Sequence, residues 1–370
     1  MDETCNKANV HPLIRLAMSD ALSKILSPLG WAYEMGMAAR GSLYRRGIFQ
    51  TRQIPIPVIC VGNLSMGGTG KTPMVEFVVR RLQAAGHRPG IVSRGYGREG
   101  SPAQLVLVSD GQTPTATVAD ARTAGDEPAL LARQLPGVPV AVCSDRVKAA
   151  TTLMQKCGCD CIVLDDGFQH LAIARDADIV LLNATRNLAQ QRVCPAGDLR
   201  EPPTALGRAS AVVHTRVGSS SDHAAANSAL VRELFPKLPQ FQARFVSDHF
   251  TSADGHDLPQ FPTGPAVACA GIAHPDQFFE SLRALGITVY PLPLRDHVRY
   301  DSATLEKITR VARDHGTNDI IITAKDAVKI NPSALPAPLR LLVLRQRVEL
   351  EPLAEFDSFL HRAVSRHPAG

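Results

Sequence analysis

The chain contains no uninterrupted apolar run near the roughly 18 residues that a membrane-crossing helix requires, so its 370 residues predict no bilayer span. Contact with a membrane surface is a separate matter. The start, MDETCNKANV, is polar and acidic and lacks the basic-then-apolar order of a secretory leader, so no export signal is expected. The eight cysteines include no C-x-x-C pair. Cys157, Cys159 and Cys161 alternate, but without the paired spacing of zinc sites they do not predict a metal centre. Cys60, Cys143, Cys161 and Cys269 sit in apolar, strand-like runs as small hydrophobes, and a reducing compartment is the simplest reading. An excess of one charge is also missing: 40 basic and 35 acidic residues leave a net charge of +5. That argues against a nucleic-acid binder and leaves an anionic small molecule or a membrane surface open. No internal repeat is present.

What is present is an alternation of short apolar strands and amphipathic helices from Ile54 onward. Ile56–Val61, Gly90–Ser93, Leu105–Val108, Val138–Cys143, Cys161–Leu164, Ile179–Leu182 and Ala211–His214 read as strands, and Thr72–Ala85, Glu127–Gln134 and Arg146–Lys156 as helices. Apolar strands separated by helices predict a mostly parallel sheet flanked by helices. Beyond the polar stretch GSSSDHAAANS, a second and smaller α/β unit is expected, with strands in AVACAGI, ITVYPL, DIIITA and LRLLVLRQRVEL. Four segments follow from this pattern: 1–50, 51–240, 241–350 and a C-terminal helix with tail over 351–370. Residues 11–50 carry Leu22, Ile25, Leu29, Trp31 and Met35 among Arg15, Arg40 and Arg45. They predict one or two helices broken near Pro28 and Gly30, either packed on the core or lying on a membrane.

The stretch VICVGNLSMGGTGKTPM runs from a strand through a glycine loop into a helix, the context of a phosphate-binding loop. The usual pattern G-x-x-x-x-G-K-[ST] has Ser65 where it wants its first glycine. Ser65, Met66, Gly67, Gly68, Thr69, Gly70, Lys71 and Thr72 would form the loop. Its glycines let backbone N–H groups face phosphate oxygens, and the helix N-terminus adds positive potential. Lys71 would reach the β- and γ-phosphates of ATP, and the Thr72 hydroxyl would ligate Mg²⁺. A second Mg²⁺ anchor is expected at another strand end, and CIVLDDGFQH provides Asp165 and Asp166. Asp165, next to the strand, is the favoured metal ligand, with Asp166 beside it for catalysis. Asp126 and Glu127 precede a helix with Pro128 and suit helix capping on their own. SRGYGRE, with Arg94, is a turn or an anion contact. A lone His such as His297 in LRDHVRY is usually structural, and its spacing leaves open what it faces.

Taken in order, GNLSMGGTGKTP, SRGYG, GDEP, LDDGFQH, PAGDLREP, DHVRY and TAKDAVK resemble the tetraacyldisaccharide 4′-kinases over most of the chain. The resemblance implies a P-loop kinase of two α/β/α domains joined by a β-strand linker. It implies ATP and Mg²⁺ as cofactors, and a tetraacylated glucosamine disaccharide 1-phosphate as acceptor at its 4′-hydroxyl, giving lipid IVA. The cytoplasmic face of the bacterial inner membrane is the implied location, with no protein partner evident. By resemblance, Asp126 and His297 would act as a base dyad for the attacking hydroxyl. Gln169, His170, Arg200 and Glu201 would lie near the reacting groups. Two departures stand out: Ala324 replaces a Glu common in the family, which puts any role of that Glu in doubt, and Cys194 stands where Leu is common. The rival class is the partition and metal-insertion switch ATPases, which share the double glycine but carry a second Lys in the loop. Here that position is Met66, which cannot donate to a phosphate.

Overall fold

The computed structural model describes residues 20–112, 121–218, 222–253, 255–273, 275–296 and 298–365. The chain divides into a larger unit, which ends at Phe245 and resumes at Val348, and a smaller unit, Val246–Arg347.

The larger unit holds β1 (Val58–Asn63), β2 (Pro89–Ser93), β3 (Val106–Ser109), β4 (Val140–Val142), β5 (Cys161–Asp165), β6 (Ala177–Asn183), β7 (Ala211–Thr215) and the first part of β8 (Gln240–Ser252). Their order is β8-β7-β6-β1-β5-β2-β4-β3. Every pairing is parallel except β3 on β4. Every residue of β1, β2, β5 and β7 is buried, which is why these strands are runs of Val, Ile and Leu rather than alternating patterns. Cys60, Cys143 and Cys161 are buried among them. The register pairs Val61 with Asp165. The carboxylate at the end of β5 therefore stands beside the exit of β1, from which the glycine loop leaves.

The helix Lys71–Ala84 seats Met74, Val75, Val78, Val79 and Leu82 in the core. The C-terminal helix Leu353–Val364 packs beside it through Phe356, whose ring centroid is 5.9 Å from that of Phe77 and 5.0 Å from that of Phe241. Arg81 and Asp357 add a two-pronged ion pair between these helices.

Two local expectations change. The N-terminal segment forms one helix, Asp20–Arg45, straight through Pro28. A proline inside a helix removes a backbone hydrogen bond and usually breaks it. Tertiary contacts hold this helix on both sides of that position: Arg192 donates to the Ser27 hydroxyl, and Arg40 donates to the Gln169 carbonyl at 3.0 Å. Gly30 is seated so closely that a Cβ there would come 3.2 Å from the Val193 carbonyl oxygen. In addition, the polar stretch GSSSDHAAANS runs into a helix, Ala224–Leu234. Its buried face is Ala224, Asn227 and Val231. Asn227 accepts from the Leu188 amide and donates to the Arg186 carbonyl, so a satisfied polar side chain masks the apolar period.

The smaller unit contains β9 (Ala266–Ala270), β10 (Val289–Pro293), β11 (Asp319–Thr323) and most of β12 (Arg340–Glu351), in the parallel order β10-β9-β11-β12. Helices Pro275–Ala284 and Ser302–Asp314 bury Phe278, Phe279, Leu282, Ile308 and Ala312. The TAKDAVK run is structural here. Asp326 is fully buried and accepts from the Gly271 amide and the Thr323 hydroxyl, with the Lys329 ammonium 2.9 Å away.

Candidate active site

The loop that follows β1 needs its glycines. Gly67 and Gly70 adopt φ of 120° and 82°, a region a Cβ disfavours. Any Cβ at Gly70 would also come 2.2 Å from the Phe245 ring. The loop is braced from three sides. The Asn63 amide donates to the Thr69 hydroxyl, and the Thr215 hydroxyl donates to the Thr69 carbonyl. The Met66 amide donates to the Asp198 carbonyl, and the Arg200 amide to the Leu64 carbonyl. Ser65 forms a bridge with Leu199. The Met66 side chain is 42% exposed and carries no cation, so the second Lys of the switch ATPases has no counterpart at this position.

Lys71, at the start of the helix, lies 3.8 Å from an Asp166 carboxylate oxygen. Arg200 donates to both oxygens of the same carboxylate at 2.9 Å. Asp166 has φ 52°, so its backbone is strained as well as its side chain being clamped by two cations. Its neighbour Asp165 is buried and accepts from the Ser93 hydroxyl at 2.9 Å. Burial, and then the charges of Glu127 and Asp166, push its carboxyl up to about 7. Its Oδ1 is buried with no hydrogen-bond partner among the described residues. A carboxylate in that position is expensive unless a cation meets it.

Gln169 links the loop to the Arg200–Glu201 turn. Its amide donates to the Asn63 carbonyl at 3.0 Å and to Glu201 at 3.1 Å. Glu201 is buried and also accepts from Arg208. Burial, and then the positive charges of Arg146, Arg175 and Arg40, lower the His170 ring to about 4. At neutral pH His170 is therefore an uncharged imidazole. Arg175 fixes this turn by donating to the Gly167 and His170 carbonyls.

Asp126 is the first residue of helix Asp126–Gln134, and Gly125 occupies the cap position with no side-chain cap bond. Asp126 therefore sits one position inside the helix rather than at its cap. The effect of Glu127 on Asp165 places this helix start near the β5 carboxylates. Arg94 follows β2 and is exposed, on the same sheet edge. His297 lies outside the described residues.

The structure thus brings together the loop, Lys71, Asp165, Asp166, Gln169, Arg200 and Glu201. Sequence reading missed several residues that support them. Ser93 opens the SRGYG motif, where only Arg94 drew notice, Arg175 follows no motif spacing, and Arg40 comes from the N-terminal helix. Asn63 and Thr215 had a weak signal only: each is a polar residue closing a buried, mostly apolar strand. The alternating cysteines do not gather. Instead, His87, Asp160 and Cys161 each bring one ligand atom within 4.8 Å of the others. Burial raises the Cys161 thiol far above the usual range, which keeps it protonated and weak as a ligand.

Comparison with known proteins agrees with this geometry. A family model described as tetraacyldisaccharide-1-P 4′-kinase matches residues 22–365. The tetraacyldisaccharide 4′-kinase of Desulfotalea psychrophila is 38% identical over 86% of this chain and 91% of its own. That of Halorhodospira halophila is 40% identical over 93% of this chain and 94% of its own. Among solved structures, the "apo" form of LpxK from Aquifex aeolicus, in complex with ATP, is similar with a TM-score of 0.75 and 29% identity. The match covers 93% of this chain and 99% of that one. The chain, with its parallel P-loop sheet and its glycine loop set against two adjacent carboxylates, belongs to the tetraacyldisaccharide-1-P 4′-kinase family.

Proposed function

We propose that this chain transfers the γ-phosphoryl group of ATP to the 4′-hydroxyl of a tetraacylated glucosamine disaccharide 1-phosphate, giving lipid IVA in lipid A biosynthesis. One observation carries the reading: Lys71 of the glycine loop reaches the clamped Asp166 at the end of the adjacent strand, beside a buried Asp165 oxygen that lacks a hydrogen bond. Phosphoryl transfer asks chiefly for positioning and charge neutralisation, and this edge of the sheet concentrates both.

Within the site, the loop amides and Lys71 bind and orient the triphosphate. Asp165, with the Thr72 hydroxyl, fits Mg²⁺, because a cation would satisfy its orphaned oxygen. Bound there, the ion would neutralise phosphate charge. Asp166, held by Lys71 and Arg200, keeps those cations aligned until phosphate oxygens compete for them. Asp126 is the general base that takes the proton of the sugar hydroxyl. Gln169, His170, Arg200 and Glu201 form the acceptor side, with Arg94 as a further anion contact. A neutral His170 can accept or donate a hydrogen bond to a sugar hydroxyl without adding charge.

The acceptor is a lipid, and the enzyme must meet it at a bilayer. No helix among the described residues is long and apolar enough to cross a membrane. The helix Asp20–Arg45 nevertheless exposes Leu29, Trp31, Tyr33 and Met35, with Ile48 and Phe49 exposed just beyond it. Apolar side chains in water beside Arg45 and Arg46 suit a surface-lying element on anionic lipid. We place the protein on the cytoplasmic face of the inner membrane by this element.

The decisive test is transfer of labelled γ-phosphate from ATP to tetraacyldisaccharide 1-phosphate, followed by locating the new phosphate. Label at the 4′ position is expected. ATP hydrolysis with no labelled lipid would refute the kinase reading.

A further inference from the structure

Among the described residues, only two non-glycine residues have backbones in the left-handed region: Asp166, and Arg216 at φ 60°. Such a conformation is strained and persists where the surroundings impose it, often at functional sites. Asp166 already belongs to the site. Arg216 belongs to none of the sequence motifs, yet it follows β7 directly and so emerges at the same edge of the parallel sheet.

Its side chain is aimed at the glycine loop. The Arg216 Nη2 lies 3.9 Å from the point where a Gly68 Cβ would stand. The guanidinium carbon is 5.8 Å from the centroid of the Phe245 ring, and that ring in turn lies against Gly70. The preceding residue, Thr215, bonds the Thr69 carbonyl at 2.9 Å. Two consecutive residues of β7 and its exit therefore meet two consecutive loop positions, Gly68 and Thr69, and Phe245 covers the next. Burial pushes the Arg216 guanidinium down from its ordinary pKa, as expected for a cation drawn out of water. A cation at that point lies within reach of an anion held by the loop. A guanidinium suits a purine nucleoside triphosphate in two ways, through charge-assisted bonds to phosphate and through its flat, stackable plane.

We infer that Arg216 is a nucleotide-binding residue, contacting ATP along the β7 flank of the loop Ser65–Thr72. This rests on the reading of that loop as the ATP site.

The backbone strain supplies a clean test. Glycine takes a left-handed φ without penalty, so Arg216→Gly removes the guanidinium while relieving the strain. Without nucleotide, its melting temperature should equal or exceed that of the unaltered protein. Its Kd for ATP should rise about tenfold to a hundredfold, the worth of a charge-assisted hydrogen bond. The shift in melting temperature on adding ATP should shrink, and the KM for the lipid acceptor should not move. Arg216→Asn, which also tolerates this backbone, should behave alike and covers a folding failure of the glycine variant. An ATP Kd within twofold of the unaltered protein in either folded variant would overturn the inference. Lys71→Ala separates the two levels. If it weakens ATP binding while Arg216→Gly does not, the inference alone fails. If neither variant weakens ATP binding, the loop is not the ATP site.

Discussion

Replacing Gly70 by Ala should damage the phosphate loop through two separable effects. The first is backbone: alanine at φ 82° carries roughly 1–3 kcal/mol of strain. The second is space. The new methyl would stand 2.2 Å and 2.4 Å from two carbons of the Phe245 ring, so ring or loop must retreat by roughly an ångström. Overpacking of this kind costs about 1–3 kcal/mol more. A misplacement of that size at a phosphate-positioning loop is worth about a hundredfold in rate. Gly70→Ala should therefore lower kcat/KM for ATP by about two orders of magnitude and lower the melting temperature measurably. The double variant Gly70→Ala with Phe245→Ala removes the collision and leaves the strain. It should regain part of the lost stability, with a coupling of about 0.5–3 kcal/mol. Initial transfer rates, ATP calorimetry and thermal denaturation on the four proteins of the cycle would measure each effect. Unaltered kcat/KM and melting temperature in Gly70→Ala would refute the geometry of the loop, and zero coupling would show that Phe245 is not the obstacle.

Asp126→Ala should lower kcat by about 10²–10⁴-fold, the usual worth of a general base; a loss confined to KM would make Asp126 a binding residue instead. Asp165→Asn should cut transfer and blunt its response to Mg²⁺ in a metal titration, whereas an unchanged Mg²⁺ dependence would place the ion elsewhere. His170 has a folded pKa of about 4, below its ordinary 6.5, so the unfolded chain gains a proton that the folded chain refuses as pH falls between these values. Stability should decline across that window as pH drops, and His170→Gln should flatten the slope of melting temperature against pH there; superimposable slopes would count against a buried neutral imidazole. Trp31 is the only tryptophan, so its emission should shift to the blue when anionic phospholipid vesicles are added. Replacing Leu29, Trp31 and Met35 by Ser should reduce vesicle flotation; flotation unaffected by these changes would sink the membrane role of the helix.

The sequence by itself determined what depends on local backbone and burial. Apolar runs such as Val58–Val61 and Cys161–Leu164 had to be buried parallel strands, because residues that are apolar on both faces need cover on both. The glycines of the loop had to let the backbone turn, and a helix had to follow, read from Thr72 and found from Lys71. Local rules failed where tertiary contacts overrode them, as at Pro28, whose helix is held from outside by Arg192, Val193 and Gln169. They also failed where a satisfied polar residue hid a buried face, as at Asn227. Which side chains meet was never local. The string LDDGF sets Asp165 apart from Asp166 only by its place next to the strand, and only the fold gives one an orphaned oxygen in the core and the other a clamp of Lys71 and Arg200. Arg216 carries no motif at all. Its place beside the glycine loop follows from strand order and from a backbone angle that the sequence disfavours, and both are settled by the packing of the whole sheet.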